Sequence, residues 1–190
     1  MVPEIGIDPS CTTLAAHGIK LPHALHRTVR HVLIPEKDLQ QRVREMALLL
    51  ADYYPSESEV VVTPVLTGAF MFAADLGRAL ATETSLNVHY ALTKTSTYGN
   101  EVGGSHDQRV NIDLAPSDVA GRAMLLVDDI LDHGFTLAAL RDRLSDWGVR
   151  SVQVCVLLDK QLEDPKPQIL AQRAKAAPDL VGFKIPDLWV

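Results

Sequence analysis

The sequence predicts an α/β fold, a central parallel sheet flanked by helices, and three observations carry that expectation. Strand-like runs alternate with longer helical segments along the chain, the order that builds parallel sheets through helical crossovers. The runs "EVVVTPVL", "AMLLV" and "SVQVCVLL" are nearly continuous in apolar residues, as strands buried on both faces must be. They end on Thr-Gly, on paired aspartates and on Asp-Lys, and ligands of such sheets bind beyond the carboxyl ends of the strands.

Taken in order, residues 1–30 mix Pro, Gly and scattered charge without a period and predict an irregular N-terminal arm ahead of one domain over 31–190. Glu4 and Asp8 argue against a secretory leader, and an arginine-poor start gives an organelle transit peptide little support. From Pro35 to Tyr54 the residues Leu39, Val43, Met46, Leu50 and Tyr53 recur at spacings of four and three, one face of a helix. Pro35 sits where a first helical turn tolerates it. "EVVVTPVLTG" reads as a strand and tight turn, "AFMFAADLGRALAT" as a helix, and "LNVHYALT" as another strand.

Between Thr93 and Leu114 the pattern fails. "KTSTYGNEVGGSHDQRVNIDL" predicts a long mobile loop before the short strand-like "RVNIDL", and loops of that length are usually functional. "AMLLV" and "SVQVCVLL" then flank the helical "TLAALRDRLSDWG", stopped at Gly148. A second irregular stretch, "KQLEDPKPQILAQRAKAAPD", precedes the terminal "LVGFKIPDLWV".

A chain of 190 residues, 47% hydrophobic and 22% charged, has the balance of a globular protein with a sizeable core. No apolar run approaches bilayer length. The net charge of −6 argues against a broad nucleic-acid surface, although backbone amides can form an anion pocket that the count does not register. Cys11 and Cys155 have no ligand spacing, so neither a disulfide framework nor a zinc site is expected and a reducing, cytoplasmic compartment fits.

"LLVDDILDHGFTL", residues 125–137, concentrates the chemistry. The amides of residues 132–136 would open a helix, where unpaired N–H groups and the positive dipole end suit a phosphate, and Thr136 adds a hydroxyl. Asp128 and Asp129 are acceptors suited to paired ribose hydroxyls or to water on magnesium. A phosphate cup beside a diol acceptor describes a ribose-5-phosphate site. A Walker B element has the same apolar-run-to-aspartate form, but G-x-x-x-x-G-K-[ST] is missing. Helix capping also employs aspartate, yet three acids within five residues exceed what capping needs.

This segment resembles the phosphoribosyl diphosphate motif of type I phosphoribosyltransferases. "VLIPEKDLQQRVREMALLLADYY", "VLTGAFMFAADLGRAL", "STYGN", "LLDK" and "VGFKIPD" resemble, in the same order, the hypoxanthine-guanine branch. The resemblance covers roughly residues 32–190. It implies the type I fold with a small hood from the terminal segments, and transfer of phosphoribosyl from phosphoribosyl diphosphate to N9 of a 6-oxopurine, with Mg2+ and release of pyrophosphate.

By motif, it implies Asp132 as the general base near purine N7. Asp128 and Asp129 would hold the ribose hydroxyls and, through water or ribose, the metal. Asp132, His133, Gly134, Phe135 and Thr136 would hold the 5′-phosphate. Leu66, Thr67 and Gly68 would form the pyrophosphate loop, which in the family often carries a non-proline cis peptide. Thr97 and Tyr98 would lie on the lid, and Ile130, Lys160, Trp189 and Val190 at the purine. A homodimer or homotetramer is implied, with no nucleic-acid partner.

The chain departs from the family pattern in places. Thr67 stands where lysine is frequent, and His133 and Phe135 replace small and basic residues. The stretch after Lys160 is longer by about eight residues, a change of low entropic cost. Family members normally continue past "IPDLWV" with a magnesium-binding aspartate and a pyrophosphate-facing arginine, and here the sequence stops at Val190. The alternative kept open is a catalytically idle subunit with a structural or nucleotide-binding role in a larger assembly. A third reading, the RNA-binding pyrimidine-operon regulator branch, lacks an acid at the place of Asp132.

Overall fold

The structure, a computed structural model, describes residues 32–54, 59–98, 109–112 and 114–188. Five parallel strands form the centre, in the order β2 (Asn87–Tyr90), β1 (Glu59–Leu66), β5 (Ala123–Leu131), β6 (Ser151–Gln161), β7 (Leu180–Pro186). Beyond the end of β2, β3 (Thr93–Tyr98) takes its place beside β1, and β4 (Arg109–Ile112) pairs antiparallel with β3. Pro64 falls between the β2 pairing at 59–62 and the β3 pairing at 65–66, where no ladder donor is required of it.

The strands bury both faces, as their unbroken apolar runs predict. Val60, Val62, Leu125 and Val127 pack under α1 (Glu36–Tyr53) and α2 (Phe70–Glu83). Val61, Val65, Met124 and Leu126 pack with Leu137, Leu140 and Leu144 of α4 (Phe135–Asp146). A short α3 (Pro116–Val119) leads into β5, and α5 (Pro167–Lys175) lies between β6 and β7 in the chain. Gly148, at φ 70°, makes the turn that ends α4.

Four expectations need correction. The α1 face ends on buried Tyr54, while Tyr53 is 45% exposed and donates its hydroxyl to the Asp179 carbonyl at 2.9 Å; the i+4 row Met46–Leu50–Tyr54 follows the sheet where the mixed spacing drifts off it. The expected loop from Thr93 is shorter, because polar "TKTSTY" forms β3 by pairing with β1 and β4. "PQILAQRAK" is helical, not irregular, although none of its side chains is buried. Finally, β5 and β6 continue past their apolar runs, with Leu131 still registered against Asp159 and Gln161 against Pro186. Asp128, Asp129, Asp159 and Lys160 therefore stand on strands, held by ladder hydrogen bonds, and not on the loops after them.

The arm 1–30, the residues 99–108 expected in the lid, and Trp189 and Val190 lie outside the described residues, as does much of the expected hood. Among the described residues no helix is long and apolar enough to cross a membrane.

Candidate active site

The carboxyl ends of β1, β5, β6 and β7 converge on one polar edge. Gly134 leaves β5 at φ 82° and serves as N-cap of α4, with no side chain capping the helix. A positive φ is open to glycine at little cost, and an uncapped first turn leaves its N–H groups for a ligand. The cleft at this turn, about 220 Å³, is lined by Asp128, Ile130 and residues 131–137. Thr136 is half-buried there, and the rings of His133 and Phe135 meet edge to face at 6.3 Å.

Asp128 and Asp129 reach different neighbours. Asp128 lines the cleft, whereas Asp129 lies against the turn after β1, where a Cβ on Gly68 would come within 2.7 Å of Asp129 Oδ2. Only glycine lets the Leu66–Gly68 turn approach the carboxylate so closely. The Leu66–Thr67 peptide is cis. Burial, together with the charge of Asp129 and a side-chain hydrogen bond between the two, pushes the Asp128 carboxyl up to about 8; the Asp129 N–H, donating to Asp128 Oδ1 at 3.1 Å, works in the opposite direction.

Asp132, at the tip of the turn, faces Lys160 across the ends of β5 and β6, with Nζ 3.5 Å from Asp132 Oδ1. The same ammonium is 3.5 Å from Asp187 Oδ1, just beyond β7. Lys160 is only 8% exposed while Asp132 keeps access to solvent, so a buried cation meets a reachable carboxylate. The structure thus joins Asp128, Ile130, Asp132, His133, Gly134, Phe135, Thr136 and Lys160 at one edge, with Leu66, Thr67 and Gly68 adjoining through Asp129. Thr97 and Tyr98 end β3.

Two site residues escape a reading of the sequence. Asp187 ends "VGFKIPD", and its partnership with Lys160 follows once β6 and β7 are known to run in parallel register. Arg173 was hidden in a stretch read as irregular. Its Nη1 donates to the carbonyl of Leu131 at 3.0 Å and to that of Asp132, and its Nη2 to Asp159 Oδ1.

Fold and site together gather an uncapped helix start, paired aspartates and a lysine–aspartate pair at the carboxyl edge of a parallel sheet. The sequence pattern of the phosphoribosyl transferase domain matches residues 37–183. The chain is 35% identical over 162 residues to the hypoxanthine phosphoribosyltransferase of Haemophilus influenzae, covering 84% of this chain and 83% of that one. It is 36% identical over 159 residues to the hypoxanthine-guanine phosphoribosyltransferase of Aquifex aeolicus, covering 84% and 82%. A crystal structure of a hypoxanthine-guanine phosphoribosyltransferase from Bacillus anthracis, with a HEPES molecule in the active site, superposes with a TM-score of 0.67 at 31% identity, covering 85% of this chain and 86% of that one. The chain belongs to the hypoxanthine-guanine phosphoribosyltransferase family.

Proposed function

We propose that this protein is a purine-salvage enzyme that transfers phosphoribosyl from phosphoribosyl diphosphate to N9 of hypoxanthine or guanine, releasing pyrophosphate and forming IMP or GMP. The observation that carries the reading is the Asp132–Lys160 pair, 3.5 Å apart beside the uncapped start of α4. A 6-oxopurine presents O6 and N7 on one edge, so an ammonium and a carboxylate side by side are complementary to it. Lys160 donates to O6, and Asp132 accepts the proton at N7 as N9 bonds to the ribose carbon. The bond from that carbon to the pyrophosphate oxygen breaks with its electron pair leaving on pyrophosphate.

The first-turn amides of α4 and the Thr136 hydroxyl hold the 5′-phosphate. Asp128 and Asp129 accept from the ribose hydroxyls, and Leu66–Gly68 receives the pyrophosphate. Ile130 borders the purine, and Thr97 and Tyr98 at the end of β3 belong to the lid segment; the purine contacts expected of Trp189 and Val190 fall outside the described residues. Magnesium suits this donor set. Two neighbouring carboxylates are hard oxygen donors, the kind that hold such an ion together with water and substrate oxygens. Bound there, it would neutralise charge on the departing pyrophosphate.

The reading extends to a homo-oligomer, dimer or tetramer, supported by Phe70 and Met71, both more than half exposed at the start of α2, and to a cytoplasmic setting. The test of activity is nucleotide formation from phosphoribosyl diphosphate, magnesium and each of hypoxanthine, guanine and xanthine. Folded protein that turns over none of them overturns the transfer reading; sedimentation velocity reads the oligomer.

A further inference from the structure

We propose that Arg173, carried on α5, is a positioning residue that holds the turn from Leu131 to Gly134 in the shape required by both the base and the phosphate cup. The proposal rests on the transfer reading for its chemistry, and on the following geometry for its location. The guanidinium is 18% exposed and its partner carboxylate, Asp159, 12%. One planar fork reaches the Leu131 carbonyl at 3.0 Å, the Asp132 carbonyl and Asp159 Oδ1. It thereby joins the end of β5 to the end of β6 one residue before Lys160.

A planar trans peptide points its C=O and N–H in opposite directions. Tying back the carbonyls of Leu131 and Asp132 toward α5 therefore directs the N–H groups of Asp132 and His133 away from it. It also fixes the backbone on which the Asp132 carboxylate is mounted, and the Lys160 pairing depends on that position. Asp159 neutralises the guanidinium, so Lys160 remains for Asp132 and Asp187.

A second contact places α5 against the same turn. A Cβ on Gly134 would lie 3.1 Å from Ala176 Cβ and 3.2 Å from Arg173 Cα. The backbone of α5 thus abuts the N-cap of α4, and Arg141 of α4 returns the tie by donating to the Ala177 carbonyl at 3.0 Å. With no fully buried side chain of its own, α5 is anchored mainly by these polar contacts and by Ala176, and its placement serves the turn more than the core.

The test compares wild type, Arg173→Met and Arg173→Lys as full chains, by thermal melting, by calorimetric affinity for inosine 5′-monophosphate, and by steady-state kinetics. Lysine keeps a cation near Asp159 but cannot donate to two carbonyls and a carboxylate in one plane. The expected result is that both variants bind the nucleotide at least tenfold more weakly, with kcat lowered and KM for phosphoribosyl diphosphate raised by similar factors. KM for the 6-oxopurine moves less than threefold, because Lys160 stays on β6. Arg173→Lys recovers melting temperature without recovering nucleotide affinity, which separates positioning from the ion pair's effect on stability.

If Arg173→Met does not fold, Arg173→Lys alone decides. Nucleotide affinity within twofold of wild type in a folded variant, or a loss of rate with both KM values unchanged, overturns the proposal. A wild type that binds the nucleotide without turnover defeats the transfer reading and leaves the affinity comparison to decide on Arg173.

Discussion

Arg42 and Arg173 each clamp two backbone carbonyls in this fold, and they do so at opposite ends of its purpose. Arg42 of α1, 3% exposed, donates to the carbonyls of Gly182 at 2.8 Å and Val181 at 3.0 Å, pinning the helix to the middle of β7. Arg173 of α5 donates to carbonyls at the very end of β5, where the chain turns into the phosphate cup. Both satisfy buried acceptors with a charged, planar fork. The difference is what the clamped backbone carries: apolar packing around β7 in one case, Asp132 and the α4 amides in the other. Identical chemistry therefore stabilises a fold at one place and shapes a site at the other.

The sharpest test of that contrast is Asp132→Asn. Asparagine preserves volume but accepts no proton, so kcat should fall by roughly 10²- to 10⁴-fold with melting temperature nearly unchanged; a variant retaining a third of wild-type kcat would remove the base from the reading. Next in size, Arg42→Met strands two carbonyls and should cost about 3 kcal/mol, some ~6–12 °C in Tm for a chain of this size. Its KM values should match wild type, and a selective rise in one of them would erase the distinction between the two clamps.

Asp128 supplies a pH-dependent test. The folded protein keeps its proton up to about 8, whereas the carboxyl has an ordinary value of 3.8. Across that window the fold binds more protons than the unfolded chain, so this group's contribution to stability is complete below about 3.8 and is lost as pH rises through 8. Asp128→Asn should flatten the fall in Tm between pH 5 and pH 8 by several degrees, and an unchanged slope would show that the carboxyl is already ionised at neutral pH. The last test is Gly134→Ala, costing about 1–2 kcal/mol from the left-handed backbone and more from a Cβ 3.1 Å from Ala176 and 3.2 Å from Arg173 Cα, seen in a denaturant melt together with weaker nucleotide binding; loss of stability with nucleotide affinity intact would detach the turn from the cup.

The contrast between the clamps also marks how far the sequence could be read. The strands whose both faces are buried were legible because apolar runs report burial directly, and Gly134 and Gly148 punctuate α4 where turns of positive φ were needed. Segments stabilised by pairing were not. Polar β3 is a strand because β1 and β4 offer it partners, and Asp128 to Leu131 remain extended because β6 continues beside them. α5 was missed for a related reason, since it is nine residues long, none of its side chains is buried and polar contacts hold it. Pro167 at its first turn and Arg173 and Lys175 in its last were local signs of it.

By itself, the sequence determined the sheet, its covering helices and the concentration of acids in "DDILD", because periodicity and residue chemistry are local properties of the chain. The tertiary structure alone decided which of those groups are neighbours. It set Asp129 against Gly68, brought Lys160 to Asp132 and Asp187, and carried Arg173 across forty residues of chain to the end of β5. Those pairings depend on strand order and register, which are fixed when distant segments exclude water from the two faces of one sheet.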